Sequence, residues 1–185
     1  MRDVTLRKAQ QDLLAYRAHH DDLTGLPNRA LLTERLTRAL RSADERPTTA
    51  ALFFIDVDRF KWVNDSLGHE AGDRLLCTLA ARLTNAARPR DTVARFGGDE
   101  FVVLAEHLEN ATDALVIADR LLAVGRRSVD LSDGHTVVPT LSIGIVVSDG
   151  AHADPADLLR DADAAMYGAK EAGRDRVMVH APEIN

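Results

Sequence analysis

Hydrophobic positions along the 185-residue chain follow two periods, and their order sets out the elements of a fold. In Ala30–Ala43, Leu31, Leu32, Leu36 and Leu40 recur on one side of a helix. Ala50–Val57 is instead a continuous apolar run ending in Asp56 and Asp58, the pattern of a strand buried on both faces. Phe60–Asp65 predicts a short helical turn, and Glu70–Ala87 a helix with Leu75, Leu76, Leu79 and Leu83 inward. Val93–Phe96 and Glu100–Ala105 read as short strands joined across Gly97-Gly98, whose adjacent glycines supply the positive φ of a tight hairpin. Asn110 is placed to cap a helix over Ala111–Val124. Val137–Val147 alternates, with Leu141, Ile143, Ile145 and Val147 on one face and Thr140, Ser142 and Gly144 on the other. Asp154 followed by Pro155 caps a helix that runs to Ala172 and buries Leu158, Leu159, Ala162, Met166 and Ala169. Gly173 ends it, and Arg176–His180 is a last strand.

This order predicts an α+β fold, a central, mostly antiparallel five-stranded sheet flanked by helices. Ahead of it, Met1–His20 is polar and helical, with Leu6, Ala9, Leu13, Tyr16 and His20 spaced alternately three and four apart. Such a helix is either a solvated element with one apolar edge or the end of a signalling stalk. Asp21–Arg29 is a loop broken by Gly25 and Pro27. The expected division is a helical stalk over 1–20, one domain over 21–180 and a tail over 181–185.

Charge narrows the function. A net charge of −6, from 29 acidic against 23 basic residues, argues against a protein that holds nucleic acid by its phosphates. A nucleotide site with its own metal remains open. The longest apolar run, Ala50–Ile55, is far short of the roughly 20 residues needed to span a bilayer. Charged Arg2, Asp3, Arg7, Lys8 and Asp12 leave no signal-peptide core. Cys77 has no partner for an intrachain disulfide and reads as a reduced core thiol. The segment is expected to be cytoplasmic and without membrane contact, an anchor in a longer parent protein being left open.

Carboxylates at the edge of an apolar strand need a reason, because burying an unpaired charge is costly. Asp58 is placed to cap the Phe60 turn. Asp56 has no such local use, and suits a hard cation held by one or two carboxylates and substrate phosphates. Gly97-Gly98-Asp99-Glu100-Phe101 puts two more acids on a hairpin tip. If Asp56 and Asp99 come from neighbouring strands, they converge on one metal, as in polymerase-like phosphoryl transfer. Backbone amides at the Phe60 turn suit phosphate oxygens. Asn64 and Asp73 suit a base, since a carboxylate accepts both donors of the guanine edge and adenine offers no matching pair. Asp73 equally reads as an acid in the first turn of a helix. Lys170 and Arg174, one turn apart at a helix end, serve either the helix dipole or a triphosphate.

Taken in order, these segments resemble the GGDEF family of diguanylate cyclases. Asp22-Leu23-Thr24-Gly25-Leu26-Pro27-Asn28-Arg29 resembles its DxLTxLxNR signature. Asp56-Val57-Asp58-Arg59-Phe60-Lys61 with Asn64-Asp65 resembles DxDxFKxxND, and Gly68-His69 with Gly72-Asp73 resembles GHxxGD. Arg95-Phe96 leads into the pentapeptide Gly97–Phe101; Ser142-Ile143-Gly144 and Tyr167-Gly168-Ala169-Lys170 with Gly173-Arg174 resemble the later motifs.

The resemblance implies a sheet like the nucleotide cyclase and polymerase palm, and condensation of two GTP into cyclic di-GMP with loss of two pyrophosphates. It implies Asp56, Asp99 and the Val57 carbonyl as metal ligands, for Mg²⁺ or Mn²⁺, two per GTP. Glu100, Asp99 and Lys61 would be the catalytic set, with Glu100 beside the attacking 3′-hydroxyl or assisting the metals. Asn64 and Asp73 would bind guanine; Lys61, Lys170, Arg174 and the amides of Arg59 and Phe60 would hold phosphates. Arg88-Pro89-Arg90-Asp91 fits the family's RxxD motif, so Arg88 and Asp91 would bind product in feedback inhibition. The active species would be a homodimer, paired by Met1–His20 under a sensor domain of a longer parent. Three rivals stand beside this expectation: a silent module that binds GTP or cyclic di-GMP, a dimerisation unit within a sensor, and a related enzyme that uses ATP.

Overall fold

Continuous apolar sequence places Thr49–Val57 (β1) in the middle of a sheet, where both its faces are covered. The computed structural model describes residues 2–45, 49–131, 134–148 and 154–180, with backbone alone over 2–6 and 42–45. Helices α1 (Arg2–His19) and α2 (Arg29–Glu45) precede β1. After it come α3 (Phe60–Leu67), α4 (His69–Ala86), β2 (Thr92–Gly97), β3 (Glu100–Leu108) and α5 (Thr112–Gly125). Then follow β4 (Val129–Asp130), β5 (Thr136–Val137), β6 (Leu141–Ser148), α6 (Pro155–Glu171) and β7 (Arg176–Val179). The main sheet has five strands in the order β2-β3-β1-β6-β7, antiparallel except for the parallel pair β6–β7. The expected α+β architecture is therefore the observed one. The tail expected over 181–185 lies outside the described residues.

Alternation along β1 divides the core into two layers. Phe53, Ile55 and Val57 pack with Leu75, Leu79 and Leu83 of α4 and Ile117 and Leu121 of α5. Leu52 and Phe54 point the other way, among Leu32 and Leu36 of α2 and Leu158, Ala162 and Met166 of α6. Asp56, two residues beyond Phe54, thus belongs to the α2/α6 side. The caps follow the sequence reading. Asp154 Oδ1 accepts the Ala156 N–H at 2.8 Å, and Asn110 Oδ1 accepts that of Asp113 at 3.1 Å.

One expectation about β6 needs correction. The strand starts at Leu141, and Val137 belongs instead to a two-stranded ribbon of β4 and β5 that the sequence reading missed. Pro139 separates the two pieces and offers no N–H to a ladder. The Gly144 face of the strand lies under α6. Ser142 is buried, and Gly144 lies so close under α6 that a Cβ would overlap the Ala162 carbonyl and the Met166 amide.

The C-terminus of α1 is joined to the domain by backbone as well as side chain. Asn28 donates its Nδ2 to the Ala18 carbonyl at 2.9 Å and its N–H to that of His19 at 2.9 Å, and His20 bridges to Pro27. Leu13, Leu14 and Tyr16 on this helix are 52%, 68% and 53% exposed, an apolar edge with no cover from the domain.

Gly144 gives a direct test of the α6–β6 packing. Gly144→Ala should destabilise by at least about 1–3 kcal/mol, the usual cost of overpacking. Thermal unfolding measures it, and an unchanged midpoint would mean that α6 does not sit at this distance.

Candidate active site

The site is built where β1 runs out. Asp56, its last buried side chain on the α6 side, is 5% exposed and pairs across the ladder with Glu100 on β3 and Ser142 on β6. Asp99 sits in the β2–β3 turn, and its carbonyl accepts the Val57 N–H at 3.1 Å. The hairpin tip is thereby stitched to the strand that carries Asp56. Lys170 reaches across from α6, its Nζ 2.8 Å from Asp56 Oδ2. So Asp56, Val57, Asp99, Glu100 and Lys170 come together, although they span three elements and a turn.

Burial raises Asp56 to about 6, from an ordinary 3.8, helped by the Asp99 and Asp58 carboxylates and opposed by Lys170. Glu100 is raised too, first by burial, then by Asp163 of α6 and by Asp99, while Lys170 and Arg29 pull it back. Asp99 is thus the acid that acts on both. Like charges crowded at a buried edge, with one ammonium already present, mark a place built for added positive charge.

Arg95 fixes the hairpin tip from below. Its guanidinium donates to the Gly98 carbonyl at 2.8 and 3.2 Å and to both oxygens of Asp21 at 3.1 Å. Asp21 also takes the Thr24 amide and hydroxyl at 2.8 and 2.7 Å. Burial would raise this carboxylate, but the Thr24 and Arg95 bonds together hold it below the ordinary range. Of the two turn glycines only Gly98 has a positive φ, of 20°; Gly97 ends β2, beside a ladder irregularity.

The α3–α4 corner carries the second group. Arg59 caps α3 in the left-handed region, with φ 58°, and Lys61 is exposed on the first turn. Asn64 lies flat on α4 because residue 72 is glycine; a Cβ there would overlap its amide oxygen. Asp73, the next residue, is exposed in the second turn of α4 rather than the first.

Asp58 does not cap α3. It is 7% exposed and accepts the Thr140 and Ser142 hydroxyls at 2.7 Å each and the Asp175 amide at 3.1 Å. Arg174 is not on α6 either: the helix ends at Glu171, and Arg174 follows in a left-handed turn with φ 64°. It still lines one cleft with Arg59, Trp62 and Thr140. Arg88 and Asp91 form a turn of their own between α4 and β2. Asp91 Oδ2 accepts the Arg88 N–H at 2.9 Å, and burial raises Asp91 against the pull of Arg88 and of Arg120 on α5.

Residues 18–176 match the family described as the diguanylate cyclase, GGDEF domain. The chain belongs to the GGDEF family. This GGDEF domain is 53% identical over 162 residues to the diguanylate cyclase TpbB of Pseudomonas aeruginosa, covering 87% of itself and 37% of TpbB. It is 43% identical over 172 residues to the bifunctional diguanylate cyclase/cyclic di-GMP phosphodiesterase MucR of the same organism, covering 93% of itself and 25% of MucR. The chain thus spans about a third of TpbB and a quarter of MucR. Among solved structures it superposes on the GGDEF domain of TpbB with TM-score 0.85 and 49% identity, covering 88% and 95% of the two chains. It superposes on the coiled coil and GGDEF domain of DgcB from Caulobacter crescentus, in complex with c-di-GMP, with TM-score 0.86 and 29% identity, covering 96% and 93%.

The family implies a divalent metal, and the donor atoms here fit one. They are oxygens, as a hard cation requires, and Asp56 is buried near the Asp99 and Asp58 carboxylates, where added positive charge would be favourable. Among the described residues no three His, Cys, Asp or Glu side chains converge into a protein-only cage. That suits an ion that completes its shell from phosphates and water. No helix among the described residues is long and apolar enough to cross a membrane.

The raised Asp56 makes a stability prediction. Its folded value lies above its unfolded one, so its favourable contribution is complete below about 3.8 and lost as pH rises through about 6. With metal chelated, Asp56→Asn should be more stable than the parent at pH 8, by on the order of 1–3 kcal/mol, with the gain vanishing near pH 4. Unfolding in denaturant at the two pH values reads it; a loss of stability at pH 8 would contradict the assignment.

Proposed function

We propose that this GGDEF domain is a diguanylate cyclase that condenses two GTP into cyclic di-GMP across a two-fold dimer of domains. The observation that carries the reading is the ladder pairing of buried Asp56 with Glu100, beside Asp99 on a tip pinned by Arg95. Asp56, Asp99 and the Val57 carbonyl would hold Mg²⁺ or Mn²⁺, two ions per GTP. The ions, when bound, would neutralise charge on the phosphates and polarise the reacting oxygens.

The chain's own groups do the rest. Asn64, seated over Gly72, and Asp73 read guanine. Lys61, Lys170, Arg174 and the amides of Arg59 and Phe60 hold the triphosphate, so that its α-phosphorus faces the 3′-hydroxyl of the GTP on the other domain. That hydroxyl attacks in line; the new P–O bond forms as the bond to the β-phosphate oxygen breaks, and pyrophosphate leaves. Glu100, raised by burial, would take the hydroxyl proton. The same step in the opposite sense closes the ring. Glu100, Asp99 and Lys61 are the groups closest to this chemistry, and most of their effect is positioning and electrostatics.

Pairing is the remaining requirement. The uncovered Leu13, Leu14 and Tyr16 edge suits a second α1, which supports a stalk over 1–20. DgcB, solved as a coiled coil with its GGDEF domain, supports the same arrangement. A sensor domain ahead of the stalk would then set how two domains meet. Arg88 and Asp91 would bind product as a feedback inhibitor, and cytoplasmic GTP would be the substrate.

Product analysis tests the proposal. The chain incubated with GTP and magnesium at several protein concentrations should give cyclic di-GMP, with a rate rising faster than linearly in protein. Asp99→Ala should lower turnover by at least about a hundredfold, with assembly unchanged. Absence of product at every concentration, with GTP bound, would favour a silent binding module. Asp73→Ala should erode the preference for GTP over ATP by about tenfold or more; an unchanged preference would remove Asp73 from the base site.

A further inference from the structure

Arg174 holds its place through backbone that is poor at holding itself. Two successive non-glycine residues, Arg174 and Asp175, have φ of 64° and 47°. Such residues stay in the left-handed region only when their surroundings over-determine them. Here the surroundings are visible on three sides. The Arg174 N–H donates to the Ala169 carbonyl of α6 at 3.0 Å. Buried Asp58 accepts the Asp175 N–H at 3.1 Å from below, and is itself fixed by Thr140 and Ser142 of the neighbouring segment. Arg126, just past α5, grips the outside: its Nε donates to both Asp175 carboxylate oxygens at 3.0 and 3.1 Å, and its Nη2 to the Asp175 carbonyl at 3.2 Å.

We infer that Asp58, Asp175 and Arg126 form a clamp that positions Arg174 for the β- and γ-phosphates of the bound nucleotide. The inference rests on the proposed phosphate role of Arg174. Asp58 and Asp175 line the same cleft as Arg174, but as acceptors already engaged by protein donors they offer phosphate no side-chain donor. Asp58 sits in the second acidic position of Asp56-Val57-Asp58, yet its oxygens are turned to Thr140, Ser142 and Asp175. Its work is to carry the geometry of the β1 end to the turn after α6. Arg126 and Asp175 do the same from α5, at a surface where each side chain is still half or one-third exposed. The clamp therefore ties the end of β1 and the end of α5 to the turn after α6, and Arg174 is the side chain that this turn presents to the cleft.

The test compares two ligands. GTP lacking its 3′-hydroxyl keeps the whole triphosphate but cannot react, and GMP keeps the base and the α-phosphate. Binding of each to the full chain, with magnesium, is measured by calorimetry for Arg174→Ala, Asp58→Asn, Arg126→Ala and the Arg126→Ala/Arg174→Ala pair. The expected result is weaker triphosphate binding, about tenfold for Asp58→Asn and up to about fivefold for Arg126→Ala, with GMP unchanged. In the Arg174→Ala background, Arg126→Ala should have no further effect. If Arg174→Ala weakens the triphosphate but Arg126→Ala does not, the clamp is wrong and the phosphate reading stands. If Arg174→Ala has no effect, the phosphate reading falls and takes the clamp with it. Equal loss of GMP and triphosphate in Arg126→Ala, or full additivity in the pair, would show a general structural effect and overturn the inference. Arg126 is a surface residue, so its variant folds even if Asp58→Asn does not.

Discussion

A carboxylate that is 5% exposed at the end of the sheet's middle strand has to be answered by positive charge. Lys170 gives part of that answer, and the shape of the surrounding molecule follows from the need for the rest. The pairing of β1 with β3 sets Glu100 opposite Asp56, and the Val57–Asp99 backbone bond holds the turn at the same level. α6 can deliver Lys170 only because it lies close on β6, over Gly144. The hydrophobic layers are thus the means by which charges that would separate in water are kept together.

Much of this was legible in the chain. The five strands and the helices that cover them appear as changes of period, and the caps at Asp154 and Asn110 are local enough to be seen from neighbouring residues. The residues of the site were legible as motifs, because each motif is a short run with a fixed local geometry. What the sequence hid were partners far apart along it. Arg95 and Asp21 are separated by 74 positions, and Asp58 and Asp175 by 117. No periodicity joins such pairs. Asp58 was misread for this reason: the local explanation, a helix cap, was available, and the partners that claim its oxygens lie on β6 and beyond α6. Arg174 was misread for the converse reason. Helical spacing from Lys170 continues in the sequence although the helix itself stops at Glu171.

Asn64 and Asp73 show how a motif encodes packing rather than chemistry. The second glycine of Gly68-His69-Glu70-Ala71-Gly72 makes no turn; it lies inside α4 at a cost in helix propensity. Its missing side chain is the space that Asn64 fills. The place of Asn64 on this corner is therefore set by a residue with no polar atom of its own beyond the backbone.

The bonds between Asn28 and the last turn of α1 have a mechanical consequence. An α-helix of 18 residues is about 27 Å long at a rise of 1.5 Å per residue. Anchored stiffly at one end, it is a lever: a tilt of about 10° at the junction moves the far tip by roughly 5 Å. Conversely, a small displacement applied at the far tip reorients the whole domain without bending it. The helix therefore gives mechanical advantage, and the stiffness of a few hydrogen bonds at Asn28 determines how much of an applied motion is transmitted and how much is lost as slack.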